Sequence, residues 1–136
     1  MVAIADLLKE SGLKVTPQRI AVYNYLIHTT SHPTADVIYK ALERDYPALS
    51  LATVYKTLDT FSEKGLVQEL NVGEDSFRYD ANSSPHPHFL CKKCSAVYDL
   101  PTIDSFSNLK DLFMAETGHN IESEQIYLYG TCKSCL

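Results

Sequence analysis

His86-Pro87-His88-Phe89-Leu90-Cys91-Lys92-Lys93-Cys94 lies in the middle of the 136-residue chain, just after a break in composition, Ala81-Asn82-Ser83-Ser84-Pro85. A second Cys-x-x-Cys, Cys132-Lys133-Ser134-Cys135, lies at the far end, and these four are the only cysteines. Two thiol pairs of equal spacing with 37 residues between them supply what a tetrahedral zinc site needs. Each pair is a short chelate on a turn, and the fold brings the turns together. The competing reading is two local redox dithiols or disulfides. The shared spacing, with no cysteine left over, favours zinc. A small half of the chain stapled by metal then follows the break, and a separate unit precedes it.

The histidines carry a different chemistry. His86 and His88 alternate, so on an extended segment both rings face one side. Imidazole combined with carboxylate suits iron, manganese or zinc in mixed nitrogen and oxygen ligation, and Asp80 and Asp99 are near in sequence. The plain alternative is a polar linker.

At this length the chain is one domain or two small ones, and a small half with a thin core gains from a structural metal. The hydrophobic fraction of 45% describes a globular protein. No apolar run approaches the ~18 residues that suggest a membrane span. The first residues lack a basic stretch followed by an apolar one, so no secretion signal is expected. Paired thiols without one point to a reducing cytoplasm and to metal rather than disulfides. Net charge is −5, and residues 1–80 carry 8 Lys and Arg against 11 Asp and Glu. That counts against indiscriminate nucleic-acid binding through a broad positive field, while leaving room for a narrow DNA-reading face.

Taken in order, Ile4, Leu7 and Leu8 give a first helix that Gly12 ends. Thr16-Pro17 caps and starts a second, with Ile20, Tyr23, Leu26 and Ile27 as its apolar face. Thr34 caps a third through about Tyr46, with Val37, Ile38, Ala41 and Leu42 inward. Ser50 caps a fourth, with Leu51, Val54, Leu58 and Phe61 inward, Thr53, Lys56, Thr57 and Thr60 outward, and Gly65 at its end. Strands at Leu66–Val72 and Ser76–Asp80 follow. Three helices closing on a hairpin are the order of a winged helix-turn-helix, whose last helix enters the major groove. A helical core with a hairpin and no DNA remains the alternative. After the linker come a strand at Ala96–Leu100 and a helix capped by Asp104, with Phe106, Leu109, Leu112 and Phe113 inward. A strand region at Ile121–Gly130 follows. This second half reads as a small α/β dimerisation domain, because pairing two copies covers edge strands. The expected class is α+β: a winged-helix domain over residues 1–80, a hinge linker over 81–90 and the dimerisation domain over 91–136.

Thr16-Pro-Gln-Arg19, His32-Pro-Thr-Ala35, Ala52-Thr-Val-Tyr-Lys-Thr-Leu58, His86-Pro-His88 with Cys91-x-x-Cys94, Tyr127-Leu-Tyr-Gly130 and Cys132-x-x-Cys135 together resemble the ferric uptake regulator family of metal-dependent bacterial repressors. The resemblance covers essentially the whole chain. It implies a homodimer with winged-helix DNA-binding domains, a structural Zn²⁺ on Cys91, Cys94, Cys132 and Cys135, and a regulatory Fe²⁺ or Mn²⁺ at the hinge. Within the family the chain is most similar to the peroxide-sensing repressors. Their regulatory ligands match His32, Asp80, His86, His88 and Asp99, leaving one position of an octahedral ion open. Asp99 is the discriminating residue, because iron-uptake members usually have Glu there. The resemblance further implies that peroxide acts through bound iron and that His32 and His86 take the oxygen. A third site of iron-uptake members is not expected, since Pro85, Pro87 and Glu124 stand where its ligands would be. His28 and His119 match nothing and read as ordinary polar residues.

The expected function is a cytoplasmic, peroxide-sensing, metal-dependent repressor of palindromic operators. Arg19, Thr53, Tyr55 and Lys56 are its candidate DNA contacts. Its partners are double-stranded DNA and a second copy, with no membrane and no small-molecule substrate other than peroxide. An iron- or zinc-uptake repressor sensing metal occupancy is the first alternative. A zinc-dependent hydrolase using His86, His88 and Asp99 is remote, because no further carboxylate base or H-E-x-x-H motif is present.

Overall fold

The computed structural model describes residues 3–72, 76–102 and 108–136. The chain divides into two compact units, Met1–Ser83 and Ser84–Leu136.

The first unit contains α1 (Ile4–Glu10), α2 (Pro17–Ile27), α3 (Ala35–Leu42), α4 (Leu51–Glu63), β1 (Gln68–Leu70) and β2 (Arg78–Asp80). Three helix starts are fixed by hydroxyl caps. Thr16 accepts from the Arg19 amide, Thr34 from Val37 and Ser50 from Thr53, each contributing about 1 kcal/mol. The core joins Leu8, Val22, Tyr23, Leu26, Ile38, Val54, Leu58, Phe61 and Tyr79, with Tyr23 and Phe61 meeting edge to face at 5.6 Å. β1 and β2 pair antiparallel, with Gln68 opposite Asp80 and Leu70 opposite Arg78.

Helix α4 ends in a left-handed cap. Leu66 donates its amide to the Phe61 carbonyl at 2.9 Å, Gly65 donates to Ser62 at 3.1 Å, and Gly65 has φ +73°. These are the paired bonds that close a helix when a glycine follows it.

Several expectations about the first unit need correction. α3 stops at Leu42 rather than near Tyr46, where the Leu42 carbonyl is shared between the Asp45 amide at 3.2 Å and the Tyr46 amide at 3.0 Å and the regular ladder gives way to a turn. Val37 and Ala41 are exposed, and the helix buries Ala35 and Ile38 instead. Val37 sits one residue from Ile38, about 100° around the axis. Ile27, expected on the apolar face of α2, is exposed as well. Thr57 is buried, not outward. It lies three residues from Val54 and four from Phe61, so it falls on the core stripe despite its hydroxyl. The hairpin strands are shorter than expected, and Phe77 precedes β2 and is exposed.

The second unit contains β3 (His88–Cys91), β4 (Val97–Asp99), α5 (Leu109–Thr117) and β5 (Tyr127–Gly130). β3 is the central strand, antiparallel to β4 and parallel to β5. Residues 88–90, read from sequence as linker, are therefore sheet. The expected cap Asp104 and the inward Phe106 lie outside the described residues. Leu112 and Phe113, expected inward, are 60% and 53% exposed, and α5 has no buried residue. A single copy of the chain leaves this apolar face open. No helix among the described residues is long and apolar enough to cross a membrane.

Gly65→Ala should destabilise the first unit by about 1–2 kcal/mol, and Gly65→Asn by less. A Cβ at this position meets no atom within 4 Å, so the cost is purely conformational. Urea unfolding reads it, and an unchanged midpoint for the alanine variant would contradict the cap.

Candidate metal centre

The two thiol pairs converge. The four Sγ atoms of Cys91, Cys94, Cys132 and Cys135 lie within 4.8 Å of one another, and Cys94 Sγ is 3.8 Å from Cys132 Sγ. A tetrahedron with Zn–S of about 2.3 Å has edges of about 3.8 Å, so the spacing fits. The backbone makes the turns that bring them there. The Ser95 amide donates to the Cys91 carbonyl at 2.9 Å and the Cys91 amide to Ala96 at 3.0 Å, closing the first pair over the left-handed Ser95. The Lys92 amide donates to Gly130 at 2.8 Å, which ties the first turn to the strand entering the second.

The electrostatics of the cluster suit a dication. Amide donors, first Cys132 and then Cys94, hold the Cys91 thiol down to about 6; the Cys132 amide is 3.3 Å from the Cys91 sulfur. The Tyr98 hydroxyl is the main cause of a lowered Cys132. Cys135 is pushed up to about 12, chiefly by its hydrogen bonds to Cys132 and then Cys94, so its proton bridges the negative charge gathering around it. Cys91, Cys94, Cys132 and Cys135 would hold a zinc ion here, which would take over that bridging role and favour all four as thiolates.

The first unit carries an imidazole–carboxylate pair. His32 Nε2 is 3.3 Å from Asp80 Oδ2, and both side chains are largely buried. The Asn82 amide donates to Asp80 Oδ1 at 2.9 Å, orienting the carboxylate. His32 is a left-handed residue, φ +53°, just before Pro33.

The second unit carries a triad set by strand register. His88 faces Asp99 across the β3–β4 ladder, and Asp99 Oδ1 lies 3.2 Å from His88 Nε2 and 2.8 Å from His86 Nε2. The two rings are 4.3 Å apart, the same-side placement that their alternation predicts. His86 Nδ1 is 2.6 Å from the Ser84 carbonyl oxygen, which can only accept, so Nδ1 carries the proton. In the neutral ring Nε2 is then a lone pair aimed at a carboxylate oxygen. Either a second proton or a cation must lie between them, and a lone pair facing a carboxylate is the arrangement metal ligands need.

The DNA-facing candidates all lie in the first unit. Tyr55 and Lys56 are exposed on α4. Thr53 is half-buried, with its hydroxyl 2.9 Å from the Ser50 cap. Arg19 donates to the Lys14 carbonyl at 2.8 Å. Glu124 and Asp111 border a cleft of about 480 Å³ beside His86, but among the described residues neither joins a group of three metal-ligating side chains.

The family model for the ferric uptake regulator family matches residues 10–129. This chain belongs to the ferric uptake regulator family. The transcriptional regulator PerR of Clostridium acetobutylicum is 54% identical over 132 residues, 97% of this chain and 95% of that protein. The peroxide operon regulator of Bacillus subtilis is 42% identical over 132 residues, 96% and 89% of the two chains. The crystal structure of the Campylobacter jejuni peroxide stress regulator has a TM-score of 0.75 at 34% identity, covering 98% of this chain and 100% of that one. As a member of this family the chain is a transcriptional regulator and not an enzyme, which removes the hydrolase reading.

Sequence reasoning missed three contributors to these centres: the Ser84 carbonyl, the Asn82 amide and Tyr98. Two are backbone groups with no side-chain signature. Tyr98 was open to discovery, since it adjoins Asp99 on a strand running back from a cysteine turn.

Purified chain should carry about one tightly held zinc per copy. Cys91→Ser and Cys135→Ser should each lose it and lower the melting temperature, because metal-binding free energy is here folding free energy. Metal analysis with calorimetry checks this, and a variant that keeps its native melting temperature without zinc would count against the assignment.

Proposed function

We propose that this chain is a cytoplasmic, metal-dependent repressor that binds palindromic operator DNA as a homodimer and senses hydrogen peroxide. The observation that carries the reading is the donor set outside the thiols. His32 and Asp80 belong to the first unit, and His86, His88 and Asp99 belong to the second. Neutral imidazoles with carboxylates suit Fe²⁺ or Mn²⁺ rather than a soft thiolate-bound ion. The names of the Bacillus subtilis and Campylobacter jejuni regulators, which refer to peroxide, and the aspartate at position 99 support the sensing role.

Ligands drawn from both units give metal binding its regulatory meaning. One ion held by all five side chains would fix the placement of the units, and in a dimer it would set the separation of the two α4 helices. Those helices could then reach successive major grooves. Without metal, DNA binding must supply the ordering cost itself. The exposed Leu112 and Phe113 on α5, and Leu128 and Tyr129 on the edge strand β5, offer apolar surface that a second copy would cover. Tyr55 and Lys56 are exposed on α4 and available to meet DNA, and Thr53 and Arg19 lie in the first turns of α4 and α2.

When bound, Fe²⁺ supplies the one-electron reduction of peroxide; Mn²⁺ does not readily do so. His32 and His86 are the side chains that take oxygen, and their loss as ligands releases DNA. The thiolates of a closed zinc site react later.

His88→Ala and Asp99→Ala should abolish metal-stimulated operator binding while leaving zinc in place. Tyr55→Ala should weaken operator binding without altering metal affinity. Lys56→Ala should do the same and reduce the salt slope by about one phosphate contact. Metal-free protein that binds operator as tightly as the loaded form would end the hinge model.

Protein loaded with Fe²⁺ or Mn²⁺ and given micromolar peroxide without oxygen should gain one oxygen on the His32 or His86 peptides in the iron sample alone, together with loss of operator binding. Release in the manganese sample, or release tracking disulfide formation, would refute the mechanism. No oxidation and no release in either would favour an iron- or zinc-uptake repressor that senses occupancy.

A further inference from the structure

We propose that Arg78 is a positioning residue for the His32 ligand, holding the backbone turn that aims the imidazole at Asp80. The inference rests on the reading of His32 as a regulatory metal ligand. Its starting point is a local conflict. His32 has φ +53°, a region that residues with a Cβ seldom occupy. It also precedes Pro33, and a residue before proline is pushed toward extended backbone. Neither the residue nor its neighbour favours the conformation, so contacts from elsewhere in the fold must hold it.

Those contacts come from three consecutive residues of β2. Arg78 Nη1 donates to the His32 carbonyl at 3.3 Å. The Tyr79 amide donates to the Pro33 carbonyl at 3.0 Å. Asp80 Oδ2 lies 3.3 Å from His32 Nε2. Strand alternation explains the division of labour. Tyr79 sends its ring into the core, while Arg78 and Asp80 leave the opposite face together, toward the turn. Asp80 meets the ring, Arg78 meets the carbonyl of the same residue, and the Tyr79 amide meets the next one.

Among these three, Arg78 alone acts through its side chain without being a proposed ligand. The Tyr79 bond is backbone and survives substitution. Truncating Arg78 removes a side-chain tether on the turn and lets His32-Pro33 relax toward extended backbone, which swings the imidazole away from Asp80. The arginine thus keeps this half of the ligand set assembled before any ion arrives, and its position in the wing strand ties the placement of a sensor ligand to the hairpin.

The test is Mn²⁺ affinity of the full-length, zinc-loaded protein without DNA, read from the free-ion paramagnetic resonance signal. Native chain is compared with Arg78→Ala, Arg78→Lys, His32→Ala and the double variant Arg78→Ala/His32→Ala. Arg78→Ala should weaken Mn²⁺ binding about 10-fold or more, the effect expected of an outer partner of a ligand. Arg78→Lys, which keeps one donor, should recover most of it. In the His32→Ala background the arginine substitution should have no further effect, because the two act as one unit; a merely structural role would add its cost in both backgrounds. Native-like affinity in Arg78→Ala, or a penalty that persists without His32, overturns the inference while the metal site stands. Native-like affinity in His32→Ala overturns the reading beneath it. If Arg78→Ala does not fold, Arg78→Lys must still bind more tightly than His32→Ala, and equality of the two overturns the proposal.

Discussion

Strand β3 is four residues long and carries a candidate metal ligand at each end, His88 at the start and Cys91 at the finish. Its backbone ladder is the constraint the second unit depends on. Pairing with β4 sets His88 opposite Asp99, and pairing with β5 sets Cys91 opposite Gly130, two residues before Cys132. One register therefore aligns both centres. A slip of one residue would turn every side chain of the strand to the other face and dismantle the histidine triad and the thiol cluster together.

The two units solve the problem of precision differently. The second has a thin core, with Pro87, Val97 and the cysteines Cys91 and Cys132 as its buried apolar side chains among the described residues, and the thiol cluster gathers its turns. The first has an ordinary helical core with capped helices and an aromatic pair. It can bear a left-handed histidine costing about 1–2 kcal/mol because the surrounding packing and the β2 contacts over-determine it.

Much of this was legible in the sequence, for identifiable reasons. The thiol cluster announced itself because chelation demands a short fixed spacing, and spacing is a sequence property. His86 and His88 on one side followed from the period of an extended chain. The three helix starts followed from Thr16, Thr34 and Ser50, whose hydroxyls act within three residues. What failed was non-local. Thr57 was read by its polarity although its position put it on the core stripe. Leu112 and Phe113 were read as inward because apolar residues repeat there, yet nothing in one chain's sequence says whether the cover is its own or another copy's. The Arg78 contact joins residues 46 apart, and no local pattern encodes it.

The three-residue step from His88 to Cys91 has a further consequence. Side chains an odd number of positions apart leave a strand on opposite faces, here separated by roughly 10 Å of backbone rise. The sheet is thus a partition, with the imidazole of His88 on one side and the thiol of Cys91 on the other. An oxidant formed among the imidazoles would arise on the face of β3 turned away from the Cys91 thiol. Under the proposed sensing role, a ligand on one face could be spent while the thiol cluster on the other stays whole, and the damage would stay local and carry information rather than unfold the protein.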